Sequence, residues 1–245
     1  MRPLIRWVHA LVAALVLGLL ATMTAGAGTP RNALIMALQI DDIISLDPAE
    51  VFEFSGAEYI ANVYDRLIAY EPPDFTTLAG GLAERWEIAE DGRSYTFDIR
   101  PGLAFHSGNP VTAFDAAYSL VRVVKLNKSP AFILTQFGFT PENVEERIRA
   151  LDERRLLFVT DKAYAPSLVL NCLTAGIGSI VDSALLKEHE ADGDMGHGWL
   201  RTHSAGSGPF RLKEWRPNEL LVLEGFEGHW RGAPAMRRVL IRHIA

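Results

Sequence analysis

Five side chains able to hold a metal crowd one stretch: His189, Asp192, Asp194, His197 and His203. Imidazole nitrogens and carboxylate oxygens are zinc and nickel ligands. Their spacing forms no tight ligand motif, and Gly193, Gly196 and Gly198 between them read as a surface loop, so no metal centre is expected. Nucleophilic chemistry has one point of entry, Ser207 between Gly206 and Gly208. Pro209 and Phe210 follow it, however, and the five-residue nucleophile-elbow pattern is absent. No motif couples a nucleophile to a base, so the chain does not read as an enzyme. Cys172 is the single cysteine, which allows neither an internal disulfide nor a cysteine-rich metal site. It lies in the apolar run 168–173 and reads as a small buried hydrophobe. Trp86, Phe97 and Phe105 could stack on a ligand, but their alternation assigns them to the core. His106 reads as a side chain that fastens its own loop by a hydrogen bond.

The elements that must position such groups are densely written. Trp86 and Ile88 alternate with charged residues, then Glu90-Asp91-Gly92-Arg93 intervenes, and Tyr95, Phe97 and Ile99 alternate again. This is a hairpin centred on Asp-Gly. Pro101-Gly102 and Ser107-Gly108-Asn109-Pro110 punctuate the loop that follows, and Thr112-Ala113-Phe114-Asp115 opens a helix as a capping box. Ser55-Gly56-Ala57-Glu58 matches a second capping box, ahead of apolar residues at helical spacing from Ile60 to Ile68. Residues 32–40 read as a strand running toward Leu46-Asp47-Pro48, where proline ends it. Residues 147–160 read as another hairpin, 163–173 and 182–190 as helices. Phe210 and Leu212, a turn at Pro217-Asn218, Leu221 and Leu223, and a strand at 238–244 complete the mixed α/β pattern. No internal repeat or low-complexity tract interrupts it.

Arg2 and Arg6 precede an uncharged apolar run that ends near Met23 and meets Ala25-Gly26-Ala27, a small-x-small cleavage pattern. Residues 1–27 therefore read as a secretory signal peptide. The run is shorter than the roughly 20 residues a spanning helix needs. No cysteine lies near the cleavage region to carry a lipid anchor. The whole chain of 245 residues has 24 basic and 30 acidic side chains, and loss of the leader would remove two of the basic ones. That balance, without a basic stripe interleaved with aromatics, argues against nucleic acid as a partner.

The stretch 82–122 also resembles a known family, the extracytoplasmic solute-binding proteins of ABC importers that bind oligopeptides, dipeptides and nickel complexes (family 5). Glu84, Trp86, Asp91, Gly92, Tyr95, Thr96, Phe97, Arg100, Gly102, Phe105, His106, Gly108, Pro110, Val111, Thr112, Ala113, Asp115, Tyr118, Ser119 and Arg122 fall in order on its pattern. Ser45-Leu46-Asp47-Pro48 and the block 206–242 agree with it. Ser107 departs from a usual acidic residue, and Gly225-Phe226 from a usual Asn-Pro.

The resemblance implies a mixed α/β fold of the periplasmic-binding-protein type II, here as the first lobe only, with the second lobe missing beyond residue 245. It divides the chain into a leader at 1–27 and a lobe at 28–245. Within the lobe, 28–70 with 200–236 would form a core subdomain, 71–199 an inserted subdomain and 237–245 a truncated crossing strand. It implies a periplasmic protein that captures a peptide-like solute for ABC permease subunits in the inner membrane, with no cofactor. A peptide-binding chaperone or docking module and a nickel-complex binder of the same fold are the alternatives. For the site it implies Phe52, Glu53, Phe54 and Ser55, expected to offer a strand edge to an extended ligand, and Phe132 in a second segment that approaches the pocket.

Overall fold

The structure, a computed structural model, describes residues 30–71 and 74–245. The expected leader lies outside the described residues. Three sheets organise the rest. The first has the order β1-β10-β9-β8 and joins β1 (Ala33–Leu38), β10 (Arg238–His243), β9 (Leu220–Gly225) and β8 (Phe210–Arg216). Its β1 and β10 run parallel, pairing Ala33 with Arg238 through to Leu38 with His243, and the other pairs are antiparallel. The second is the two-stranded ribbon of β2 (Ile68–Glu71) and β3 (Asp74–Gly80). The third, wholly antiparallel, has the order β4-β5-β7-β6, from β4 (Ala83–Ile88), β5 (Ser94–Ile99), β7 (Arg155–Val159) and β6 (Ile148–Ala150).

Two helices cover these sheets. Helix α1 (Phe54–Val63) buries Gly56, Tyr59, Ile60 and Val63, one face at 3.6-residue spacing, in a core shared with Leu221, Leu223, Val239 and Ile241 of the first sheet. Helix α2 (Ala113–Leu126) buries Ala116, Leu120, Val123 and Val124 in a second core with Tyr95, Phe97, Leu156 and Phe158. Trp86 packs partly buried against this core, and Phe97 and Phe105 lie inside it, as their alternation predicts.

The Asp-Gly hairpin forms as read. Ile88 pairs with Tyr95, and Asp91 Oδ1 accepts from the backbone N–H groups of Arg93 and Ser94. Gly92 takes φ +64°, the left-handed value that such a turn requires. The Thr112 capping box is also present, and Asp115 uses its second oxygen to hold Ser183, 2.7 Å from the Ser183 hydroxyl.

Elsewhere local signals were overridden. Ser55 is no cap: the helix begins at Phe54, with Glu53 at the cap position, and the Ser55 hydroxyl donates instead to Gln39 O at 2.8 Å. Strand β1 ends well before Pro48, at Leu38, where its partner β10 also ends, Leu38 pairing with His243. Helix α3 (Pro166–Cys172) starts three residues later than expected, at its proline. Helix α4 (Ser183–Glu188) is capped by Asp182, whose Oδ1 accepts from Leu185 N at 3.0 Å. Cys172 is half-buried, within 3.6 Å of Gln136 Nε2, rather than enclosed in the core.

Candidate ligand-binding site

The loop between β1 and α1 is organised by Asp47. Its main-chain oxygen accepts from Glu50 N and Val51 N, and its Oδ1 accepts from Ala49 N at 2.9 Å. The carboxylate is fully buried and receives Arg122 through two bonds, Nη1 to Oδ1 at 2.8 Å and Nη2 to Oδ2 at 2.5 Å. His197 Nδ1 adds a third contact at 2.8 Å. Burial pushes this carboxyl up, but the hydrogen bonds from Arg122 and His197 and the guanidinium charge outweigh it and hold Asp47 below the usual carboxylate range.

This brace presents the residues that follow it. Val51 is buried and anchors the chain, whereas Phe52 is 60 % exposed and Phe54 96 % exposed, since Phe54 stands at the start of α1 away from its buried face. Glu53 folds back on the helix start, where its Oε2 accepts from Phe52 N at 2.9 Å. A Cβ at Gly56 would lie 2.5 Å from Glu53 Oε1 and 2.7 Å from Val51 Cγ1, so a side chain there would displace both. The segment 52–55 is thus a loop entering a helix and not a strand edge, a correction to the expected main-chain pairing.

Helix α2 carries Arg122 and ends at Asn127, in the left-handed conformation at φ 48°. The chain then turns through a 3₁₀ segment, Ser129–Ala131, into the short helix Phe132–Thr135. Pro130 and Ala131 are buried, and Phe132 remains 54 % exposed. Its ring meets Phe52 edge-on, with centroids 5.8 Å apart and planes at 88°. Such a pair is favoured by the ring quadrupoles.

Two hollows flank Phe52 and Glu53. One, of about 210 Å³, is floored by Val51, Ile60 and Ile177 and walled by Phe54, Pro130 and Ile133. The other, of about 500 Å³, lies among Ile44, Glu50, Lys128 and Ser129. Three of the five expected site residues, Phe52, Glu53 and Phe54, line these hollows, and Phe132 lines neither but meets the ring of Phe52. Ser55 lines neither hollow, being turned toward Gln39.

The remaining chemical side chains are committed elsewhere. His189 and His203 each stack on Trp199, with centroids 4.3 and 4.6 Å from it, while His197 serves Asp47. Among the described residues no three His, Cys, Asp or Glu side chains gather as a metal site. Ser207 donates to Asp65 Oδ2 at 3.0 Å, and a Cβ at Gly206 would lie 2.0 Å from Val63 O. The Gly-Ser-Gly turn therefore exists to let two backbones touch. His106 does fasten its loop, with Nε2 donating to Gly208 O at 2.9 Å. Sequence reasoning missed the Asp47–Arg122–His197 centre. The available signal was a pair of opposite charges inside apolar surroundings, since buried charges require partners.

With this geometry in place, comparison with known proteins defines first a fold class. The periplasmic binding protein MoaA from A. tumefaciens R10, in complex with mannopinic acid, superposes with a TM-score of 0.73 at 22 % identity, over 88 % of this chain and 41 % of that one. The ABC transporter-associated periplasmic binding protein DppA from Helicobacter pylori, in complex with the peptide STSA, gives 0.68 at 25 % identity over 86 % and 42 %. The mixed α/β fold is thus that of periplasmic binding proteins, over an extent consistent with one lobe.

The chain belongs to the bacterial extracellular solute-binding proteins, family 5, whose middle region matches residues 77–245. It is 31 % identical to the probable D,D-dipeptide-binding periplasmic protein DdpA of Escherichia coli over 223 residues, 90 % of this chain and 41 % of that protein. The chain spans about two-fifths of the length of such relatives. Members of the family bind solutes and are not enzymes. Among the described residues no helix is long and apolar enough to cross a membrane.

Proposed function

We propose that this chain supplies one wall of a periplasmic site for a peptide-like solute, working with an ABC permease in the inner membrane. The leader at 1–27 directs its export, and cleavage after Ala27 leaves a soluble protein without a lipid anchor. The observation that carries the reading is the pair of exposed rings, Phe52 and Phe54, at a largely apolar hollow, with the exposed ring of Phe132 edge-on to Phe52. Large exposed apolar side chains gathered at a concavity mark a binding surface rather than a core defect. The resemblance to a D,D-dipeptide-binding relative and to a fold seen holding a peptide supports the solute class.

One wall gives weak binding. A micromolar ligand corresponds to about −8 kcal/mol, and half of the favourable contacts leaves about −4, which is millimolar. Closure of a second wall over the ligand would supply the rest. Equilibrium dialysis against a dipeptide pool tests the reading. Retention by the native chain and its loss in a Phe52→Ala, Phe132→Ala double variant support it. Equal retention by both proteins contradicts it.

A further inference from the structure

Strand β1 forms one edge of the first sheet, whose other edge is β8. In a parallel pair, alternate residues of a strand turn their main-chain groups to the partner. Asn32 O accepts from Arg237 N and Arg238 N, and Leu38 O from Ile244 N, so the even-numbered residues bond toward β10. Ala33, Ile35 and Ala37 therefore turn their N–H and C=O groups outward. Gln39, next in that series, already gives its carbonyl to the Ser55 hydroxyl, 2.8 Å away. Among the described residues no strand pairs with this edge.

Sheet edges are ordinarily blunted by charges, proline or bulges. Strand β1 has none of these: Ala-Leu-Ile-Met-Ala-Leu carries no charge, proline or glycine and keeps an unbroken register with β10. Leu34 is 43 % and Ile35 50 % exposed. Uncommitted charge gathers at its two ends, with opposite signs. Arg237 donates its backbone N–H to Asn32 O beside the start of the strand, and Asp41 and Asp42 follow its end. All three are exposed, and none enters an ion pair among the described residues. One strand further in, Arg238 and Arg242 of β10 stand at both ends and favour neither.

We propose that this edge is an interface between two copies of the chain, paired antiparallel about a two-fold axis at Ile35. Ala33 then faces Ala37 of the second copy and Ile35 faces its counterpart, so the outward main-chain groups of all three are answered. On one face of the sheet the two Ile35 side chains meet as a β-branched pair. On the other, Leu34 lies against Met36 of the second copy, beside an apolar hollow of about 120 Å³ that Met36, Met236 and Val239 line. The axis brings Arg237 of each copy toward Asp41 and Asp42 of the other. A parallel pairing would gather like charges at each end, so charge selects the antiparallel one. Because the same edge serves both copies, the pairing closes at a dimer.

Sedimentation equilibrium on the exported chain tests this, and a monomer–dimer equilibrium should appear between micromolar and millimolar chain. Ile35→Lys, which sets two like charges face to face on the axis, should weaken it at least roughly ten-fold. Far-ultraviolet circular dichroism of that variant should match the native chain, since Ile35 is half exposed. Arg237→Asp should weaken the dimer several-fold, and adding Asp41→Arg and Asp42→Arg to it should restore the dimer, a rescue that general loss of structure would not show. A chain that stays monomeric over the whole range would overturn the inference and leave the edge to another segment or partner. A dimer indifferent to both Ile35→Lys and Arg237→Asp would also overturn it, as would open-ended growth in which β1 meets β8 of the next copy.

Discussion

Asp47 and Arg122 lie 75 residues apart and meet as a two-pronged ion pair with side chains 0 % and 1 % exposed. Asp47 ends the approach to Phe52, and Arg122 stands one turn before the end of the helix that leads to Phe132. One buried pair thus ties together the two segments whose rings meet edge-on at the candidate site. The fold and the site share this joint.

Removing either partner should damage both. Arg122→Ala leaves a buried carboxylate with only the Ala49 N–H and His197 as partners, and breaking such a pair costs about 3–5 kcal/mol. Urea denaturation should show a lowered midpoint, equivalent to an unfolding free energy smaller by that amount. An unchanged midpoint would mean that the pair is dispensable.

The same pair sets an acid limit. Because Asp47 is held below the usual carboxylate range, the unfolded chain binds its proton first as pH falls. The stabilisation is complete above about pH 3.9, the ordinary aspartate value. It is lost as pH falls from there through the folded value. Asp47→Asn should be less stable at neutral pH and should lack this component of the acid loss, as urea midpoints across pH 2–5 would show.

His106 titrates with the same sign for a different reason. Burial lowers the affinity of its ring for a second proton, despite the Gly208 carbonyl at 2.9 Å on Nε2. Below about pH 6.5, the ordinary histidine value, the unfolded chain takes up that proton more readily, so stability falls as pH drops. His106→Gln, which keeps a donor for Gly208 O, should flatten the pH dependence of the melting temperature between pH 5 and 6.5. An unaltered slope would show that another group governs it.

Gly92→Val should destabilise without touching the site. The residue sits at φ +64°, and a Cβ would stand 3.1 Å from Ala163 Cβ. The left-handed conformation costs a β-branched residue about 1–2 kcal/mol. Calorimetry should register the loss while dipeptide retention stays the same.

The sequence was readable where one local rule acts alone. Residues 83–99 alternate with period two around Asp-Gly, and Thr112 with Asp115 signals a helix start, so both elements formed at the expected places. Ser55 failed as a cap because the helix begins one residue earlier, at Phe54, which leaves its hydroxyl inside the first turn, donating to Gln39 O. The expected strand edge at 52–55 failed because Asp47 and Glu53 bend the loop and fold it onto α1. Phe52 and Phe132 are 80 residues apart, and only the turn after Asn127 and the Asp47–Arg122 pair bring them together. Resemblance pointed to both segments, but local periodicity carries no trace of that meeting. Likewise, five scattered histidines and aspartates look alike in sequence, and packing sends His197 to a carboxylate and the other two histidines to the faces of an indole.

The most direct test of the central claim is backbone amide chemical-shift mapping of the ¹⁵N-labelled chain during titration with Ala-Phe-Ala. The account predicts that shifts gather at residues 52–57, 128–133 and 175–177, the two sides of the hollows, with half-saturation at about millimolar peptide, as expected of a single wall. Shifts confined to another face, or none at these residues up to tens of millimolar on that scale, would contradict the assignment of this face as the solute site.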